Sequence, residues 1–82
     1  MEQLIHSAKS LGNALRRVRK LKKLSQKEAG IPFSLEQSTV SSLEQGAKGT
    51  RLETLFRMLA ALDLEMVIRT KKTPTDNKKE EW

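Results

Sequence analysis

Apolar residues return every three or four positions in the first stretch of the chain. Leu11, Ala14, Leu15, Val18 and Leu21 make one stripe, which predicts an amphipathic helix from Ser7 or Ser10 to about Lys23. Arg16, Arg17, Arg19, Lys20, Lys22 and Lys23 fill its other faces. A second helix should open after Ser25, an N-cap with Glu28 at the capping-box position. It should be short, because Pro32 lacks an amide donor and clashes with the preceding turn. A third helix runs from about Gln37 to Gln45 and stops at Gly46. After the loop 47–49, Thr50-Arg51-Leu52-Glu53 is another capping-box pattern, opening a helix with Leu52, Leu55, Phe56, Leu59 and Leu62 on its buried face. Beyond Asp63 the period falls from about 3.6 to 2. Leu64, Met66 and Ile68 alternate with Glu65, Val67 and Arg69, which reads as a strand. Residues 71–82, KKTPTDNKKEEW, have no periodicity and are expected to be a disordered tail. There is no internal repeat.

Charge adds direction to this picture. Sixteen Lys and Arg against ten acids leave a net charge of +6. The tail holds four lysines and three acids, so all but one of the surplus charges belong to residues 1–70. A small basic domain suggests a polyanion partner, although a solvated basic surface has the same composition. At 82 residues the chain can form one domain with a modest core, which a second copy would help to stabilise. With no cysteine, disulfides and thiolate metal sites are excluded, and His6 has no partner at ligand spacing. No membrane-length apolar run is present and residues 1–10 have no leader-like apolar core, so a cytoplasmic protein without a membrane partner is expected. A Gly-rich phosphate loop and paired carboxylates in an apolar context are lacking too, which argues against an enzyme and against any cofactor.

The stretch Leu24–Gly46, LSQKEAGIPFSLEQSTVSSLEQG, carries the functional signal. Two short helices joined by a tight turn can lay the second in a DNA major groove. That helix needs short polar side chains at its start and an apolar face behind. Val40 and Leu43 supply the inner face. Gln37, Ser38, Ser41 and Ser42 can face outward, with Thr39 beside them. Glutamine can pair bidentately with adenine and serine can bond several base edges. A solvated helix face would carry the same residues. The chain thus reads as an all-α helix-turn-helix bundle of four to five helices, with one C-terminal β-strand pairing across a homodimer. Residues 1–70 form its DNA-binding and dimerisation domain. Leu64, Met66 and Ile68 are the candidate dimerisation residues, because no second strand lies within the chain.

LSQKE…QSTVSSLEQG resembles the Xre/Cro phage-repressor helix-turn-helix. The SLGNALRRVRK opening, the LETLFRMLAALDLEM stretch, the alternating strand and the polar tail ending in Trp82 extend the resemblance to HipB-like antitoxins. The resemblance implies that Gln26 bonds a phosphate and braces Gln37. It implies that Arg19 and Glu44 form a structural ion pair between the first and third helices, and that Lys48 and Arg51 contact backbone phosphates. The chain departs from the pattern at Ala29-Gly30, usually leucine-alanine, at Ser34, usually glycine, and at Pro32 within the second helix. Phe33 is expected to fill the volume lost at Ala29.

The resemblance further implies a nucleoid-associated repressor that binds double-stranded operator DNA as a homodimer. Its toxin partner would be a HipA-like kinase, neutralised by this chain alone or with a further antitoxin subunit. Trp82 is the candidate toxin contact, since a lone aromatic on a polar tether has nothing local to bury against; a frayed end is the plainer reading. Two other functions stay open: a free-standing phage-repressor-like regulator without a toxin, and a structural interaction module that binds an acidic protein.

Overall fold

Serines set where the first two helices begin. In the computed structural model, which describes residues 2–71, α1 spans Ala8–Leu21, α2 Gln26–Gly30, α3 Gln37–Glu44 and α4 Leu52–Ala61. The Ser7 side chain accepts from the Ser10 amide and the Ser10 hydroxyl oxygen accepts from the Ser7 amide, both at 3.0 Å. Ser25 and Glu28 close the same reciprocal box on α2. Each box satisfies amides that the first helical turn leaves without a partner.

The three longer helices end alike. Lys23, Gly46 and Asp63 have φ of 59°, 79° and 61° just beyond α1, α3 and α4. In each case the next two amides bond back to carbonyls of the last turn, as Lys23 to Lys20 and Leu24 to Arg19. These tight stops keep the connections short. Pro32 fits without a kink because α2 stops at Gly30 and a 3-10 turn, Ile31–Phe33, carries the proline in its first residues. Ser34 then takes a left-handed conformation, φ 59° and ψ 39°, and reverses the chain into α3.

Every helix contributes to one core: Leu15 and Val18 from α1, Ala29 from α2, Leu35 from the turn, Val40 and Leu43 from α3, and Leu55, Met58 and Leu59 from α4, with Leu62 just beyond it. Gly12 lies where α1 packs on the end of α3. A Cβ there would come within 2.5 Å of the carbonyl oxygens of Leu43 and Glu44. Gly30 has a similar role under the turn, where a Cβ would meet the Leu35 carbonyl oxygen at 2.3 Å.

Several expectations need correction. Leu21, the last residue of α1, is 66% exposed. Thr50 does not cap α4. Arg51 holds the cap position without a side-chain bond, and the Thr50 hydroxyl donates to the Ala47 carbonyl oxygen at 3.4 Å. The inner face of α4 is Leu55, Met58, Leu59 and, one residue on, Leu62; Leu52 and Phe56 are 68% and 52% exposed. Phe33 is 37% exposed, and Leu35 is the buried apolar residue of that turn. Residues 64–71 carry no regular secondary structure, and no strand occurs among the described residues. A strand needs a hydrogen-bonded neighbour, and the single chain supplies only one such run. Of the expected tail, 71–82, all but Lys71 lies outside the described residues, Trp82 included.

Candidate nucleic-acid interface

α3 presents two unlike faces. Val40 and Leu43 are buried against the other helices, while Gln37, Ser38 and Ser42 are exposed on the outer side. Thr39 and Ser41 are half-buried between them. The outer side of α3 is thus a ridge of small polar side chains headed by Gln37.

A chain of polar contacts runs behind the ridge. Arg19 of α1 and Glu44 of α3 are both buried, and they pair in a fork: Nε donates to Oε2, and Nη2 donates to Oε1 at 2.9 Å. Arg19 Nη1 also donates to the Leu24 carbonyl oxygen at 2.7 Å, which ties the α1–α2 connection to the same pair. Gln26, first residue of α2, donates its Nε2 to Glu44 Oε1 at 3.2 Å. Gln37 Nε2 in turn reaches Gln26 Oε1 at 3.5 Å.

Chemistry sets the direction of this relay. An ionised carboxylate can only accept, so Glu44 takes the amide hydrogen of Gln26. The Gln26 carbonyl then faces Gln37 and receives its amide. The carbonyl oxygen of Gln37, and the second hydrogen of its amide, are left for a ligand. Burial alone would raise the Glu44 carboxyl. Hydrogen bonds from Arg19 and then Gln26, with the charges of Arg19 and Arg16, outweigh it and hold the carboxyl below its ordinary value. The hydrogen bond to Glu44 likewise raises Arg19 against the opposing effect of burial.

A shallow hollow borders each side of the ridge. One, about 520 Å³, is lined by Arg16, Lys20, Ser25, Gln26, Gln37 and Gln45, with the Arg19–Glu44 pair as part of its wall. The other, about 330 Å³, is lined by Ser38, Thr39, Ser42, Leu43, Thr50, Arg51 and Thr54. Gln26, Gln37, Ser38, Thr39, Ser42 and Arg51 therefore meet on or beside the ridge. Lys48 is exposed on the loop after α3 and lines neither hollow. Leu64 packs on the core, whereas Met66 and Ile68 point away, 49% and 91% exposed.

The apolar–polar pattern does not single out Gln45. Its Nε2 donates to Ser41 Oγ at 2.9 Å, occupying that hydroxyl as an acceptor and leaving its hydrogen free to donate. The four-residue spacing was the available signal. Arg16 and Lys20 stood unsorted within a wholly basic helix face.

No protein-family profile matches the chain. Among curated proteins it is similar to the HipB antitoxin of Escherichia coli K12, 33% identical over 66 residues, which is 80% of this chain and 75% of the relative. It is also 33% identical, over 84% of its length, to an uncharacterised helix-turn-helix regulator of Sinorhizobium fredii, and spans 35% of that protein. Among solved structures, a chain of a HipA–HipB–O2–O3 complex superposes with a TM-score of 0.81 at 32% identity, over 87% of this chain and all of the other. A chain of a HipB–O4 20mer complex gives the same values. The restriction-modification controller protein C.AhdI of Aeromonas hydrophila gives a TM-score of 0.64 at 31% identity, over 71% of this chain and 84% of the other.

Proposed function

The chain belongs to the HipB antitoxin family, with a helix-turn-helix of the phage-repressor type, and on that premise we propose that it is a sequence-specific DNA-binding repressor. It binds operator DNA as a homodimer and binds a HipA-type kinase toxin. The observation that carries the DNA reading is the polar ridge of α3, backed by a buried relay that orients its first residue. The relatives solved as HipB with operator fragments and as a HipA–HipB–DNA complex support both partners.

In this reading α3 enters the major groove. Gln37 reads a base edge with its free carbonyl and remaining amide hydrogen, the donor–acceptor pair that adenine complements. Ser38, Thr39, Ser41 and Ser42 line the remaining contact, and their small size lets the helix sit deep. Gln26 touches a phosphate and braces Gln37, and Lys48 and Arg51 add phosphate contacts that position the domain without reading sequence. Arg19 and Glu44 hold α3 against α1. Leu64, Met66 and Ile68 pair with the same residues of a second copy as a two-stranded lid, which places one recognition helix in each half-site. Residues 1–70 form this working unit. Residues 71–82 act as a tether, and Trp82 fills a pocket on the toxin.

The test is discrimination. Equilibrium binding to a duplex from upstream of its own gene, and to a random duplex of equal length, should favour the former. Gln37→Ala should cut that preference by about 1–3 kcal/mol per half-site. Equal weakening on both duplexes would assign the base-reading helix wrongly.

A further inference from the structure

Six basic residues crowd the end of α1, and the sequence alone presents them as one solubilising face. The structure divides them. Arg19 is buried and its charge is matched by Glu44. Arg16 and Lys20 are exposed, one turn apart, and line the larger hollow beside α3. Arg17, Lys22 and Lys23 are exposed but line neither hollow.

We propose that Arg16 and Lys20 form a phosphate-binding arm that holds one DNA backbone strand in the hollow between α1, α2 and the start of α3. This rests on the reading of α3 as the helix in the major groove. A helix in that groove has a phosphodiester strand on each side of it, about 12 Å apart across the groove. The two hollows lie on opposite sides of the ridge, and each holds an exposed cation. Arg51 serves one strand across the smaller hollow; Arg16 and Lys20 serve the other.

Three features suit the larger hollow to a phosphate. Among the described residues neither Arg16 nor Lys20 has an ion-pair partner. The carboxylate in the wall, Glu44, is already neutralised by the Arg19 fork and so does not repel an anion strongly. Ser25 and Gln26 add polar groups on the facing side. The arm also adjoins the relay, because the charge of Arg16 acts on Glu44. A phosphate that engages Arg16 therefore sits next to the groups that orient Gln37.

The test compares two variants that lose the same charge: Arg16→Gln with Lys20→Gln, and Arg17→Gln with Lys22→Gln. Binding to the upstream duplex and to a random duplex is measured across a salt series. The hollow-lining pair should weaken both duplexes by the same factor and flatten the plot of log affinity against log salt by about 3 to 4 for a dimer, four phosphate contacts at roughly 0.9 each. The control pair should leave the slope within about 1 of wild type. Equal flattening by both variants would make the effect bulk charge and overturn the proposal, as would an unchanged slope in the hollow-lining pair. A wild-type protein whose binding ignores salt would instead overturn the DNA reading beneath it. Circular dichroism of both variants separates lost contacts from lost fold, and Arg16→Lys with Lys20→Arg, which keeps both charges, should restore most of the slope.

Discussion

The two halves of this chain differ in how complete they are. From Ser7 to Gly46 the buried polar side chains have partners inside the chain. The starts of α1 and α2 are boxed, the buried Arg19 and Glu44 satisfy each other, and no buried side-chain nitrogen or oxygen among the described residues lacks a hydrogen bond. From Leu52 onward the pattern reverses. Leu52, Phe56, Met66, Val67 and Ile68 are all at least 49% exposed, and residues 64–71 have no ladder to join. The first half is finished in its buried polar groups, although Leu21 and Ile31 stay 66% and 63% exposed; the second exposes Met66, Val67 and Ile68 in succession, an apolar surface that awaits a cover. A reader of DNA half-sites is served by this division, because the reading helix must be rigid before it meets the groove while its spacing to a twin is set by a separate contact.

Breaking the finished half should cost the most. Glu44→Ala leaves the Arg19 guanidinium buried without its counter-charge and should destabilise the fold by about 3–5 kcal/mol, a large share of what a domain this small possesses. Chemical denaturation followed by circular dichroism measures it. The same pair sets a pH dependence. Because the folded Glu44 carboxyl titrates below its ordinary value, its contribution is in place above the unfolded carboxylate pKa and is lost as pH falls through the lowered one. Acid unfolding of the wild type should include that step, and Glu44→Gln should lack it.

Gly12→Ala is the next test. Its methyl would press on the carbonyl oxygens of Leu43 and Glu44, backbone atoms that cannot swing away, so α3 must shift from α1. A loss of about 1–3 kcal/mol is expected, with a weaker preference for the upstream duplex because the ridge moves with α3. A smaller effect of opposite sign is expected at Ser34. Its left-handed backbone favours glycine, and Ser34→Gly should raise stability by about 0.5–1 kcal/mol with DNA discrimination unchanged. Thermal melts distinguish the two outcomes.

Much of the finished half could be read from the residues. Ser25 and Glu28 announced α2, Gly46 announced the end of α3, and the split of Val40 and Leu43 from Gln37, Ser38 and Ser42 matches the two faces the helix shows. The second half was less legible for a physical reason. LETLFRMLAAL holds more apolar residues than one stripe needs, and periodicity alone cannot choose between Phe56 and Met58 as the inner residue. Only packing against the other helices decides, and it buries Met58 completely. The relay was hidden for another reason. Gln26 and Glu44 lie 18 residues apart, so no local pattern reports their contact, and the resemblance to phage repressors supplied only the Arg19–Glu44 pair and the bracing of Gln37. The expected strand depends on a neighbour that one chain does not contain.

The division between the halves is tested most directly by sedimentation of Met66→Asp at micromolar concentration, alone and with the upstream duplex. Met66 is half-exposed and outside the core, so a carboxylate there leaves the first half intact. The expected result is a monomer with wild-type helical content that no longer sediments with the duplex as a dimer. A Met66→Asp protein that remains a dimer with normal affinity for the duplex would contradict it.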